Sequence, residues 1–174
     1  MPASESLSGE QAHRQCMNED IRLSHIQSGP ALEEVRTLFL EYARGLNFNL
    51  CFQDFDKELV ELPGVYGLPH GRLILSVVDQ KAAGCVALKS LEPGVCELKR
   101  LFVRPEFRRR HLGLKMSRHI VNEARLIGYS TMRLDTIRGT MDDAIALYTS
   151  LGFREIAAYY NNPIPNAFYM ELEL

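Results

Sequence analysis

The chain has 174 residues, 46% hydrophobic and 24% charged, one domain's length with enough apolar material for a core, which argues against wholesale disorder. Its apolar runs, such as Leu73–Leu75 and Ile145–Leu147, fall far short of the ~20 residues that span a bilayer, and MPASESLSGE has neither a basic nor an apolar leader segment. The formal net charge is only −2, so the expectation is a single cytoplasmic globular domain without a membrane partner.

Residues 1 to about 19 are polar and aperiodic and are expected to form a mobile tail, leaving 20–174 as the folded domain. Ile21-Arg22-Leu23 alternates and predicts a first strand. Leu32, Val35, Phe39, Tyr42 and Leu46 recur at helical spacing after Pro30, and a second short helix is expected over Asp54–Leu62, stopped by Pro63-Gly64. The period then changes. Gly71–Val78, Ala82–Leu88 and Val95–Val103 read as three successive antiparallel strands separated by turn residues. Leu112, Met116, Ile120, Ala124 and Ile127 mark a long helix ending at Gly128. A strand (131–136), a helix (141–151) and two strands (153–157 and 167–174) complete the order β-α-α-β-β-β-α-β-α-β-β, a mixed sheet with packed helices.

The four cysteines at 16, 51, 85 and 96 make no C-x-x-C pair and no Cys/His cluster, so no metal is expected. Cys85 and Cys96 could face each other across a hairpin, but are read as ordinary small residues in a reducing compartment.

Cut by position, the net charge becomes informative. Residues 99–138 hold eleven basic and three acidic residues, and the rest holds nine basic and nineteen acidic. A basic centre in an acidic protein points to a local anionic partner. Most of it lies in KRLFVRPEFRRRHLGLK, where a strand ends at Val103, a loop carries Arg104, Arg108, Arg109 and Arg110, and a helix opens near His111. Unpaired amides and the dipole at a helix start favour a phosphate or pyrophosphate. Gly113 leaves room for an oxygen to approach the backbone. Neither a Walker A loop nor a G-x-G-x-x-G fingerprint is present.

Arg110-His111-Leu112-Gly113-Leu114-Lys115 matches the pattern [QR]-x-x-G-x-[GA] at Arg110 and Gly113, Val103–Arg108 reads V-x-P-x-x-R, and Ala144–Phe153 reads A-x-x-L-Y-x-x-x-G-F. On these motifs the chain resembles the GNAT superfamily of N-acetyltransferases, from about Ile21 to Leu174. The resemblance implies an α/β (α+β) single domain: a mixed, mainly antiparallel sheet with flanking helices and a splayed central strand pair. Acetyl-CoA is the implied co-substrate, bound by Leu101, Phe102 and Val103 along its pantetheine arm and by Arg108, Arg109, Arg110, His111, Leu112, Gly113, Leu114 and Lys115 at its phosphates. Arg109 and His111 stand where the family often has glycine, and Lys115 where Gly or Ala is usual.

Acetyl transfer needs a neutral amine and a protonated leaving thiolate. By resemblance, Tyr148 is the general acid and Glu97 the general base; Asp135 is the second candidate for the base. The alternatives from the residues themselves are a core aromatic for Tyr148, a carboxylate paired with Lys99, Arg100 or another cation for Glu97, and a turn or cap residue for Asp135. His111 reads as a helix-start residue near phosphate, and His119 and His70 are weaker candidates. The helices between Pro30 and Leu62 and the segment Tyr159–Asn166 are expected to shape the acceptor site. The acidic remainder favours a cationic acceptor, a small amine or amino acid, over a protein lysine or N-terminal amine. A non-catalytic acyl-CoA sensor is the rival reading, and homodimerisation is left open. A nucleic-acid partner is disfavoured, because the cations lack interleaved exposed aromatics beyond Phe102, Phe107 and Tyr129.

Overall fold

The computed structural model describes residues 20–174, and the tail expected over residues 1–19 lies outside them. The chain runs through β1 (Ile21–His25), α1 (Pro30–Arg44), α2 (Phe55–Glu61), β2 (Arg72–Val78), β3 (Lys81–Glu92), β4 (Val95–Val103), α3 (Leu112–Ile127), β5 (Thr131–Ile137), α4 (Asp142–Ser150), β6 (Arg154–Ile156) and β7 (Ala167–Glu173). The order is the one that the hydrophobic periods predict, with the strand expected over 153–157 shortened to β6.

All seven strands form one sheet in the order β1-β2-β3-β4-β5-β7-β6. Every neighbouring pair is antiparallel except β4 and β5, which run parallel. The parallel pair requires a crossover, and α3 supplies it. Both sheet faces are covered: along β2, Leu73 and Leu75 enter a core with α1 and α2, while Ile74 and Val78 enter another with α3 and α4. On α3 the predicted stripe Leu112, Met116, Ile120 and Ala124 is buried. Each fully buried Leu, Ile or Met there contributes about 1.5–3 kcal/mol.

Two features of β4 shape the centre of the molecule. Between Cys85↔Phe102 and Ala87↔Lys99 the register of β3 and β4 slips, so β4 carries one extra residue. Arg100 there takes φ 58°, a left-handed conformation that costs a non-glycine residue about 1–2 kcal/mol. Such a bulge bends the strand. Accordingly β4 and β5 pair only at Val95–Glu97 with Thr131–Arg133 and then diverge, giving the splayed central pair expected from the resemblance. Where β4 leaves β5 it presses on β3 instead: a Cβ on Gly84 would lie 2.4 Å from the Phe102 carbonyl oxygen.

The same register corrects the expectation about cysteines. Cys85 lies opposite Phe102 and Cys96 opposite Ser90, and their side chains enter the two different cores. Both are free thiols. Burial pushes Cys96 up to about 12 and Cys85 higher still. Among the described residues no helix is long and apolar enough to cross a membrane.

Candidate active site

Three spaces meet at the divergence of β4 and β5. A cleft of about 930 Å³ lies between the end of β4, the start of α3 and the side of α4. A pocket of about 450 Å³ opens on the far side, between α2, β3, β4 and the loop that joins β6 to β7. Between them a gap of about 40 Å³ is bordered by Leu98–Leu101, Asp135–Ile137 and Tyr148. The gap shares Tyr42, Leu101 and Met141 with the cleft, and Gln53, Lys99 and Arg100 with the pocket. The spaces therefore line up across the sheet.

At the cleft, the helical ladder of α3 begins with the Lys115 N–H donating to the His111 carbonyl at 3.0 Å. The amides of Leu112, Gly113 and Leu114 precede it and carry the positive end of the helix dipole. Arg109 and His111, the two departures from glycine, take φ 63° and 55°. The glycine-like backbone is thus kept by larger residues. Gly113 borders the cleft, and an added Cβ would sit in ordinary contact 3.6 Å from Leu147 and 3.9 Å from Val103, so a methyl group would fit there without displacing protein.

Leu101, Phe102, Val103, Arg108, Arg109, His111, Leu112, Gly113 and Leu114 all border this cleft. Two expected residues do not. Arg110 lies with its guanidinium 5.6 Å from the Phe107 ring centroid, and Lys115 points outward on the exposed side of α3.

The basic centre also resolves differently from its charge arithmetic. Arg104, expected in the anion-binding loop, makes a bidentate pair with Glu41 at 2.9 and 2.8 Å and donates to the Ala82 carbonyl. Lys99 pairs with Asp135, Arg100 with Glu58, Arg133 with Glu92 and Glu171, and Arg138 with Glu155. Four cations of the positive stretch are therefore matched by acidic residues from elsewhere in the chain, and Lys99 by Asp135 within it. Arg108 and Arg109 remain at the cleft.

Glu97 and Asp135 lie on opposite sides of the divergence. Glu97 is almost fully buried, 3% exposed, and forms part of the pocket wall. It accepts from the Tyr159 hydroxyl at 2.7 Å and pairs with Lys89 at 3.1 Å, so its cation is the cross-strand neighbour and not Lys99 or Arg100. Asp135 is neither a turn nor a cap residue; it faces the gap from β5. It accepts from Lys99 at 3.1 Å, Tyr160 at 2.6 Å and Asn162 at 3.0 Å. Burial alone would raise its pKa, but the Lys99 charge and the three hydrogen bonds outweigh it and hold the carboxyl below its ordinary value.

Tyr148 is buried on α4 with its ring 5.6 Å from that of Phe153, so it does pack as a core aromatic. It also borders the gap, and among the described residues its hydroxyl has no hydrogen-bond partner. Burial, with smaller contributions from Tyr42 and Asp135, raises its pKa and keeps the phenol protonated at neutral pH. Thr136, which the sequence did not single out, borders the same gap, and its buried Oγ1 has no partner among the described residues. Lys89 was likewise missed; only the strand register could have put it opposite Glu97. The segment Tyr159–Asn166 was expected at the acceptor side, and Tyr159 and Tyr160 do border the pocket.

Residues 32–153 match the family model of the acetyltransferase (GNAT) family. The chain is similar to an uncharacterized N-acetyltransferase of Schizosaccharomyces pombe, 40% identical over 157 residues that cover 89% of this chain and 96% of that one. Among solved structures it resembles an acetyltransferase from Streptococcus agalactiae (TM-score 0.72, 20% identity, 88% of this chain and 98% of that one). It also resembles a Bacillus subtilis acetyltransferase solved in complex with CoA (TM-score 0.66, 18% identity, 88% and 99%).

Proposed function

Because the chain belongs to the acetyltransferase (GNAT) family, we propose that it transfers an acetyl group from acetyl-CoA to the primary amine of a small molecule by direct attack. The observation that carries this reading is the alignment of the anion-ready cleft, the narrow gap with Tyr148 and the separate pocket across the divergence of β4 and β5. The pocket's volume, about 450 Å³, suits a small molecule or a single residue.

The amides of Leu112–Leu114, with Arg108 and Arg109, receive the pyrophosphate of acetyl-CoA, and Leu101–Val103 flank its pantetheine arm. In the gap, β4 has no strand on its β5 side beyond Glu97, so the backbone edge from Leu98 to Leu101 faces the reacting thioester and can stabilise its oxyanion. The acceptor amine enters from the pocket. Glu97, directly or through water, takes a proton from the amine. The nitrogen lone pair of the amine so freed adds to the thioester carbon to give the tetrahedral oxyanion, which collapses with loss of the C–S bond as Tyr148 gives its proton to the departing sulfur, and the second proton that nitrogen loses restores the Tyr148 phenol.

Asp135 is the second candidate for the base, favoured by its place in the gap itself, but its carboxylate already accepts three hydrogen bonds. Glu97 accepts one, from Tyr159, beside its ion pair with Lys89. The acceptor pocket is also less acidic than the overall composition suggested: Lys57, Lys89, Lys99 and Arg100 offset Asp54, Glu58, Glu61 and Glu97. The reading therefore rests on no bulk attraction of a cation.

The test is a thiol-release assay with acetyl-CoA over a panel of amines, amino acids and peptides. Release that requires a small amine is the expected result. Tight CoA binding with no release for any acceptor would favour the acyl-CoA sensor instead.

A further inference from the structure

We propose that the Glu58–Arg100 pair is a positioning device for acetyl transfer, acting by holding the backbone of the β4 bulge in its left-handed form. This inference rests on the reaction proposed above and adds a pair of residues that do not themselves touch the reacting atoms.

The bulge residue is Arg100, at φ 58°. Left to itself, a non-glycine backbone in this region relaxes toward negative φ. Its side chain is clamped on every side. Nε and Nη2 donate to the two oxygens of Glu58 at 2.9 and 2.6 Å, and Nη1 donates to Gln53 Oε1 at 2.9 Å. The guanidinium carbon lies 5.1 Å from the Phe55 ring centroid and 5.9 Å from that of Tyr42. Glu58 is held in turn by the Tyr66 hydroxyl at 2.9 Å. The Arg100 side chain is 2% exposed.

A pair buried this deeply is a poor source of stability, since well-packed apolar side chains often serve as well. What a bidentate, doubly stacked guanidinium supplies is direction. Here the direction matters, because Arg100 borders both the gap and the acceptor pocket, and the adjoining Leu101 borders both the gap and the cofactor cleft. The peptides around Arg100 are therefore where the two substrates meet. The clamp fixes them from α2, a helix on the acceptor side.

The experiment compares wild type, Glu58→Gln and the double variant Glu58→Gln/Arg100→Gly in steady-state thiol release, with acetyl-CoA dissociation constants and melting curves measured for each. Glu58→Gln should lower kcat by roughly 10- to 100-fold, the loss that a displacement of about 1 Å produces, and leave the acetyl-CoA dissociation constant within about twofold. The double variant should recover most of the lost kcat, because glycine adopts positive φ without a clamp. A merely structural pair would shift melting but not give this rescue.

A kcat for Glu58→Gln equal to wild type, or a double variant no faster than Glu58→Gln, overturns the inference. If Glu58→Gln does not fold, Glu58→Asp takes its place: it keeps the charge but is one methylene shorter, so it cannot hold both guanidinium nitrogens at their present distances, and an unchanged kcat there overturns the inference too. A wild-type protein that releases no thiol with any amine overturns the proposed reaction and this inference with it. Turnover by wild type that Glu58→Gln matches overturns this inference alone.

Discussion

The Tyr159 hydroxyl donates to Glu97 Oε1 at 2.7 Å, so the carboxylate on the wall of the 450 Å³ pocket is held from the β6–β7 loop as well as by Lys89 across the sheet. Glutamine at position 97 keeps an oxygen for Tyr159 but cannot take a proton from an amine. Glu97→Gln should therefore fold, bind acetyl-CoA normally and lose turnover by on the order of 10²-fold or more. Steady-state thiol release checks this, and full turnover would move the base to Asp135.

Tyr148→Phe removes a hydroxyl with no partner among the described residues, so neither folding nor acetyl-CoA binding should suffer. Turnover should fall by about 10²-fold. Isothermal titration with CoA alongside thiol release separates the two effects, and unchanged turnover would remove Tyr148 from the chemistry.

Gly113→Ala places a methyl group in the cleft, where the nearest protein atoms are 3.6 Å away. The helix itself loses nothing, because alanine is the better helix former by about 1 kcal/mol. Melting temperature should hold or rise while the CoA dissociation constant increases. A variant with unchanged CoA affinity would show that the phosphates lie elsewhere.

His111→Gly should relieve the positive φ at the start of α3 and raise stability by up to about 1 kcal/mol. Glycine is also acceptable at an N-cap. Denaturant unfolding would register the gain, and a loss would mean that the imidazole contributes more than its backbone costs.

Asp135 has a folded pKa below its unfolded value of ~3.9. The stability that it contributes is fully present above that value and is lost as pH falls through the lower folded pKa. Asp135→Asn leaves Lys99 buried without its anion and should destabilise the protein by about 3–5 kcal/mol near neutral pH. The difference from wild type should narrow below about pH 4. Melting curves across pH would detect this, and a constant difference would exclude the carboxylate as its source.

Local periodicity made the elements legible. Leu112, Met116, Ile120, Ala124 and Ile127 recur at 4, 4, 4 and 3, a spacing that shares one side of a helix but not of a strand, and the helix start at His111 with its unpaired amides followed from the same stripe. The partners of the charged residues were not legible. Arg104 finds Glu41 and Arg100 finds Glu58 from 63 and 42 residues earlier in the chain, distances over which local pattern carries no information. Lys89 meets Glu97 only because the register of β3 and β4 slips between Ser90 and Glu92, and irregularities of this kind depend on tertiary packing. The basic cluster was therefore visible as a cluster, while its division between internal pairs and the cleft was not.

β6 has three residues and among the described residues pairs only with β7, which is made after it yet sits between β5 and β6 in the sheet. As the chain leaves the ribosome, β6 has nothing to pair with until β7 emerges. Tyr169 on β7 donates to the Tyr160 carbonyl and accepts from the Asn162 amide, which ties down the loop carrying Tyr159 and Tyr160. The loop carrying Tyr159 and Tyr160 is thus fixed only once β7 has been made, after the residues that border the 930 Å³ cleft have been translated.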